Sequence, residues 1–139
     1  MLLKWFNGTK GFGFVVPEDE IIAQTRSGKQ VLNVKDARAM ICKPLTGDHV
    51  AIVSQNGKFL VFPVAELPEL GRGKGVRLQK YKDGGMSDAR SFVLEDGLSW
   101  LDPAGRTRTQ TDLAEWQGKR AGTGRMAPRG FPRDNKFNL

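Results

Sequence analysis

Short apolar runs, broken by Asn-Gly, Gly-Asp and proline, alternate with polar stretches along most of this 139-residue chain. Met1–Phe6 reads as a strand, Asn7-Gly8 as a tight turn and Gly11–Val16 as the returning strand. An Asn-Gly pair between apolar runs is a strong hairpin signal and predicts positive φ at both residues. Pro17 ends the run, because proline has no N–H to give to a ladder. A short connection holding Ile21 and Ile22 leads into Arg26–Gln30 and the alternating Val31-Leu32-Asn33-Val34.

The same order then recurs. Ala39–Cys42 and His49–Val53 read as strands, Asn56-Gly57 as a turn, Phe59–Phe62 as the returning strand and Pro63 as its end. Pro17 to Arg26 is nine positions, and so is Pro63 to Arg72. Glu20 and Glu66 each sit three past their proline, and the two Asn-Gly turns are 49 apart. Periods of this size built from short strands predict an all-β, propeller-like array.

A worn third copy follows. Ser91–Leu94 and Leu98–Leu101 are strand-like, Ala104-Gly105 stands 48 positions after Asn56-Gly57, and Thr107–Thr111 reads as the returning strand. Thr111–Ala121 reads as a short helix, capped by Thr111 or Asp112, with Leu113 and Trp116 on one face. Gly122–Leu139 is rich in Gly, Pro and Arg without periodicity, which predicts an extended basic tail. The expected division is a first blade at 1–46, a second at 47–95, a degenerate third with the short helix at 96–121, and the tail at 122–139. That makes two to three blades.

Charge turns this framework toward a polyanion. The chain carries 22 Lys and Arg against 15 Asp and Glu, a formal net charge of +7. Half of the cations, 11 of 22, fall within 71–82 and 119–136. Between Gly71 and Lys82 stand Arg72, Lys74, Arg77, Lys80 and Lys82 with three glycines and no acid. Glycine lets backbone amides approach a ligand closely, and interleaved Arg and Lys suit phosphate. A weaker copy holds Arg26 and Lys29. If the repeat holds, these cations line one side of successive blades, and phosphate contacts of that kind give affinity with little base reading. Solvated loops charged for solubility are the plainer alternative.

Enzymatic readings find little support. His49 is the only histidine and Cys42 the only cysteine, so no zinc spacing exists. Neither basic loop has the GxxxxGK[ST] spacing of a nucleotide loop. Tyr81, the only tyrosine, has no partner base in the sequence around it. No catalytic residue, metal or cofactor is expected. No apolar run approaches 18 residues, and the start is too soon polar for a secretory signal. A single cysteine fits a reducing cytoplasm.

Two family resemblances sit on this pattern. GFVVPEDE (13–20), QTRSGKQVLNVK (24–35), TGDHVAIV (46–53), LVFPVAELPELGRGKGVRLQKYKDGG (60–85), LSWLDPAGRT (98–107), LAEW (113–116) and RGFPRDNKF (129–137) resemble the C-terminal region of topoisomerase IV A subunits. The resemblance implies a partial β-pinwheel that binds and bends duplex DNA beside a separate catalytic core, in the cytoplasm at the nucleoid. Arg26, Lys29, Arg72, Lys74, Arg77, Lys80 and Lys82 are then the expected DNA contacts. The loops at 26–31 and 71–76 look like relaxed versions of the glycine-rich basic box of the related gyrase protein. The DNA-cleaving tyrosine of that family lies in a region this sequence does not contain.

The second resemblance is local. KWFNGTKGFGFV (4–15) looks like the opening of a cold-shock domain, which implies stacking of single-stranded RNA or DNA on Trp5, Phe12 and Phe14. Those aromatics facing a core is the alternative. The next cold-shock motif is missing, since Leu60-Val61-Phe62-Pro63-Val64 puts a proline where a central strand needs an N–H. The hairpin at 4–16 can instead stand in for a blade's outer hairpin.

Overall fold

The structure, a computed structural model, describes residues 2–6, 12–16, 39–69, 76–81 and 84–138. Its strands are β1 (Leu2–Phe6), β2 (Phe12–Val16), β3 (Ala39–Pro44), β4 (His49–Ser54), β5 (Lys58–Pro63), β6 (Val76–Arg77), β7 (Met86–Phe92), β8 (Leu98–Leu101), β9 (Thr107–Gln110) and β10 (Arg125–Met126). They form three sheets, in the orders β3-β1-β2-β6, β10-β5-β4-β7 and β8-β9.

The sheets repeat one rule. β1 pairs with β2 and β3, and β4 pairs with β5 and β7, all antiparallel. The outer edge of each of these two hairpins, β1–β2 and β4–β5, then receives a piece of the following repeat. Val15 N–H donates to the Pro68 carbonyl at 2.9 Å, and Val61 N–H donates to the Trp116 carbonyl at 2.8 Å. Beyond those contacts β6 pairs with β2, and β10 pairs with β5. The first two sheets are thus each closed by the repeat that follows, in the manner of a β-pinwheel.

The second sheet is buried on both faces, so β4 and β5 read as continuous apolar runs. Val50, Ile52, Leu60 and Phe62 face a core shared with Val15, Leu67, Leu78, Met86 and Ala89. Ala51, Val53, Phe59 and Val61 face the opposite core, with Leu98, Trp100, Leu113, Trp116 and Phe137. The two-residue alternation of a strand sorts them. The third sheet is one-sided: Leu98 and Trp100 are buried, whereas Thr107, Arg108 and Thr109 are exposed. On its far face Ser99 and Thr109 hydroxyls lie 2.8 Å apart. Among the described residues no further sheet packs on that face, and its side chains are polar accordingly.

Several expectations change. Positive φ falls on Gly57 (83°) and Gly105 (83°), and Asn56 does not share it. Gly57 N–H closes the turn onto the Ser54 carbonyl, and Gly105 N–H closes its turn onto Asp102. Each hairpin is therefore the longer type with a glycine bulge. The Ser54 hydroxyl and the Asp102 carboxylate each accept the backbone N–H four residues on, from Lys58 and Arg106. The Asn7-Gly8 turn and the 31–34 run lie outside the described residues. The third copy's first strand ends at Phe92, and Leu94–Asp96 is a 3-10 turn.

The short helix at 111–121 is a single turn, in which the Leu113 carbonyl accepts from Trp116 and Gln117. Leu113 and Trp116 are buried together, as their spacing predicts. The next residues turn outward because Gly118 N–H bonds to Val61 instead of continuing the helix. Nor are residues 122–138 a free tail. Phe131 packs edge-on against Phe59, with centroids 4.6 Å apart, and meets Trp100 and Phe137 at 5.4 Å each. Asp88 accepts the Phe137 N–H at 2.9 Å, and Leu101 N–H donates to the Phe137 carbonyl at 2.9 Å. This last segment lies on the β8 edge, where β3 and β7 pair in the earlier repeats.

Candidate nucleic-acid interface

The closing segments carry four exposed cations, Arg77, Lys80, Lys119 and Arg125. In the second repeat the chain passes from the basic glycine loop into β6, where Arg77 stands opposite Phe12 and Val76 opposite Gly13. In the third it passes from residues 118–124 into β10, where Met126 stands opposite Lys58 and Arg125 opposite Phe59. Gly73 and Gly75 recur 49 positions later as Gly122 and Gly124. The third repeat therefore has its own glycine loop, RAGTGR at 120–125, which straddles the end of the expected helix and the start of the stretch expected to be aperiodic.

Local chemistry explains why this loop holds its shape. Gly124 has φ +86°, and a Cβ there would lie 2.0 Å from the Phe59 carbonyl oxygen. Only glycine fits so close to β5. Gln79, fully buried, donates through Nε2 to the carbonyls of Lys58 (3.0 Å) and Thr123 (2.9 Å). Trp116 Nε1 donates to the Met126 carbonyl at 2.7 Å. The loop is tied to the sheet at both ends.

Of the expected phosphate contacts, Arg77 and Lys80 are described, and both are exposed. Arg26, Lys29, Arg72, Lys74 and Lys82 lie outside the described residues. The Lys80 N–H donates to the Gly122 carbonyl at 2.9 Å, which joins the second repeat to the loop of the third. Lys119 and Arg125 are exposed on that loop, and sequence reasoning passed over both. The signal for them was the recurring Gly-x-Gly pair.

The expected stacking aromatics divide differently. Phe12 is half-buried, with the Arg77 guanidinium 6.0 Å from its ring centroid. Trp5 is placed only as a β1 position opposite Gly13 and Ile41, and Phe14 as a β2 position opposite Lys4. The hairpin that carries them lies between β3 and β6 in a four-stranded pinwheel sheet, and this arrangement does not favour a cold-shock barrel.

Among the described residues no group of three His, Cys, Asp or Glu side chains could hold a metal ion. Burial pushes the Tyr81 hydroxyl well above its ordinary range, the reverse of an activated nucleophile. Asp48 and Asp102 are held below the usual carboxylate range, chiefly by backbone N–H donors from Leu94 and Arg106 respectively. Both cap turns, and neither is poised for proton transfer.

A protein-family model described as DNA gyrase C-terminal domain, beta-propeller, matches residues 8–37 and 48–86. This chain belongs to the gyrase A C-terminal domain family. The DNA topoisomerase 4 A subunit of Caulobacter vibrioides is 48% identical over 127 residues, 91% of this chain. Its counterpart in Rickettsia bellii is 44% identical over 129 residues, 92% of this chain. The chain spans 17% of the length of either relative. The E. coli ParC C-terminal domain superposes with a TM-score of 0.74 at 24% identity, over 95% of this chain and 57% of that one. A DNA gyrase A C-terminal domain superposes with a TM-score of 0.69 at 16% identity, over 91% of this chain and 45% of that one. Both solved structures share the pinwheel fold. In this member of the gyrase A C-terminal family, the family match ends at residue 86, and the glycine loop at 120–125 continues its repeat beyond that point.

Proposed function

We propose that this domain is the duplex-DNA-binding module of a topoisomerase IV-type A subunit. It holds DNA through phosphates and presents it to a catalytic core that this chain does not contain. The observation that carries the reading is the joining of the exposed cations of two repeats at one backbone seam: Arg77 and Lys80 from one, Lys119 and Arg125 from the next. Cations set on rigid backbone lose little freedom when they meet phosphate, and such contacts read shape and charge rather than base identity. Arg26, Lys29, Arg72, Lys74 and Lys82 extend the surface by their place in the repeat. The blade divisions 1–46, 47–95 and 96–121 follow the same period. The chain by itself has no cleavage chemistry in this reading, and it works in the bacterial cytoplasm.

Neutralising Arg72, Lys74, Arg77 and Lys80 to Gln tests this. Affinity should fall by a similar factor on duplexes of unrelated sequence, and the plot of log affinity against log salt should flatten by about 0.9 for each lost contact. An unchanged slope sinks the proposal.

A further inference from the structure

Glu66 and Arg120 join two repeats from positions 54 residues apart in the chain. The Arg120 backbone N–H donates to Glu66 Oε1 at 2.8 Å, and its Nε donates to the Glu66 carbonyl at 2.9 Å. Its Nη1 reaches the Arg77 carbonyl at 2.8 Å. Beside it, Ala121 N–H donates to the Leu78 carbonyl and Lys80 N–H to the Gly122 carbonyl, both at 2.9 Å. Gln79 Nε2 donates to the Thr123 carbonyl at 2.9 Å. These contacts fix the 120–123 loop against Arg77–Lys80, and one side chain, Arg120, spans the seam between the Glu66 turn and β6.

Arg120 is the cation of this loop whose donors are spent inward. In the preceding repeat the corresponding position, 49 residues earlier, is Gly71, which has no side chain to make such a bridge. The bridge therefore belongs to the junction of the second and third repeats and not to the repeat itself. Its chemistry needs arginine: a planar fork serves two carbonyls at once, whereas a lysine ammonium is a single point donor on a flexible stem.

We propose that Arg120 is a positioning residue that locks the two neighbouring basic segments into one ledge, so that a single duplex meets Arg77 and Lys80 together with Lys119 and Arg125. The proposal rests on the duplex-DNA reading above. Without the lock, the seam keeps only its backbone bonds and the buried Gln79 amide, it opens more often, and the two sets of cations engage the same duplex together less often. The duplex then releases fewer counterions on binding, although the charge of the protein is unchanged.

Arg120→Lys tests this, because it keeps the charge and removes the fork. Two readouts are needed: amide hydrogen exchange at Lys80 and Ala121, and the salt dependence of duplex binding. The expected result is faster exchange at those two amides with Ile52 still protected, together with a salt slope reduced by roughly 0.9 to 1.8, one to two phosphates. A second variant, Lys119→Gln with Arg125→Gln, should lower the slope while Lys80 and Ala121 stay protected. Wild-type protection at both amides in Arg120→Lys overturns the lock. Loosened amides with a wild-type slope overturn its role in binding DNA. A wild-type chain that binds no duplex overturns the function proposed above, and the exchange data still decide whether the lock exists.

Discussion

Phe12 and Arg77 stand directly opposite one another across the β2–β6 pair, with the guanidinium 6.0 Å from the ring centroid. The contact joins two repeats through a cation and the face of an aromatic ring. Such contacts are worth about 0.5–1 kcal/mol at exposed sites. A double-mutant cycle of Phe12→Leu and Arg77→Gln, read by denaturant unfolding, should give a coupling of about that size. Strict additivity would show that the two side chains do not hold the strands together.

Gly124 and Gly105 have nearly the same φ, +86° and +83°, in very different surroundings. A Cβ at Gly105 meets nothing within 4 Å, whereas one at Gly124 lies 2.0 Å from the Phe59 carbonyl oxygen. Gly105→Ala should therefore cost only the backbone term, about 1 kcal/mol. Gly124→Ala should cost about 3 kcal/mol or more, because β5 and the loop must separate. Equal costs in thermal unfolding would contradict the close approach.

Phe137 is fully buried and meets the rings of Phe59 and Phe131. Phe137→Ala should destabilise the fold by about 3–5 kcal/mol, the usual range for emptying an aromatic site in a core. A free tail would lose nothing. Thermal unfolding of the variant, beside that of the exposed-site control Arg133→Ala, separates the two.

Asp102 accepts backbone N–H bonds from Ala104 and Arg106 and a side-chain bond from Arg108. Its carboxyl is held below its ordinary value of 3.8, first by the Arg106 backbone donor. A depressed carboxyl binds protons more readily when the chain unfolds, so it adds stability that is complete above pH 3.8 and disappears as pH falls through the lower folded value. Asp48, held low by the Leu94 amide and then by His49, acts in the same sense. Asp102→Asn should flatten the acid limb of stability against pH below about 4 while keeping the turn. An acid limb identical to wild type would contradict the shift.

The hairpin of β4 and β5 was legible because short apolar runs bounded by a glycine turn and a proline are local signals. Val50 to Val53 could be assigned to a strand, but not to two cores, since a two-sided strand shows no polar face. The third repeat was harder to read. Its outer face is Ser99, Thr107 and Thr109 where the second repeat has Ala51, Phe59 and Val61, and among the described residues no further sheet covers it. Leu113 and Trp116 at a spacing of three mimic a helix, but the backbone of β5 takes the next hydrogen bonds. Arg120 looked like one more surface cation, since nothing near it in the sequence points to Glu66, 54 residues away. Phe131 and Phe137 sit among glycines, prolines and charges, so their shared ring cluster appears only in three dimensions.

The central claim is that the ledge binds duplex DNA through phosphates, and one titration tests it most directly. A labelled duplex and the matching single strand compete for the chain across a salt series. The account predicts that the duplex wins, with a log–log salt slope of several units set by about 0.9 per phosphate contact. A preference for the single strand, or a duplex affinity indifferent to salt, would contradict it.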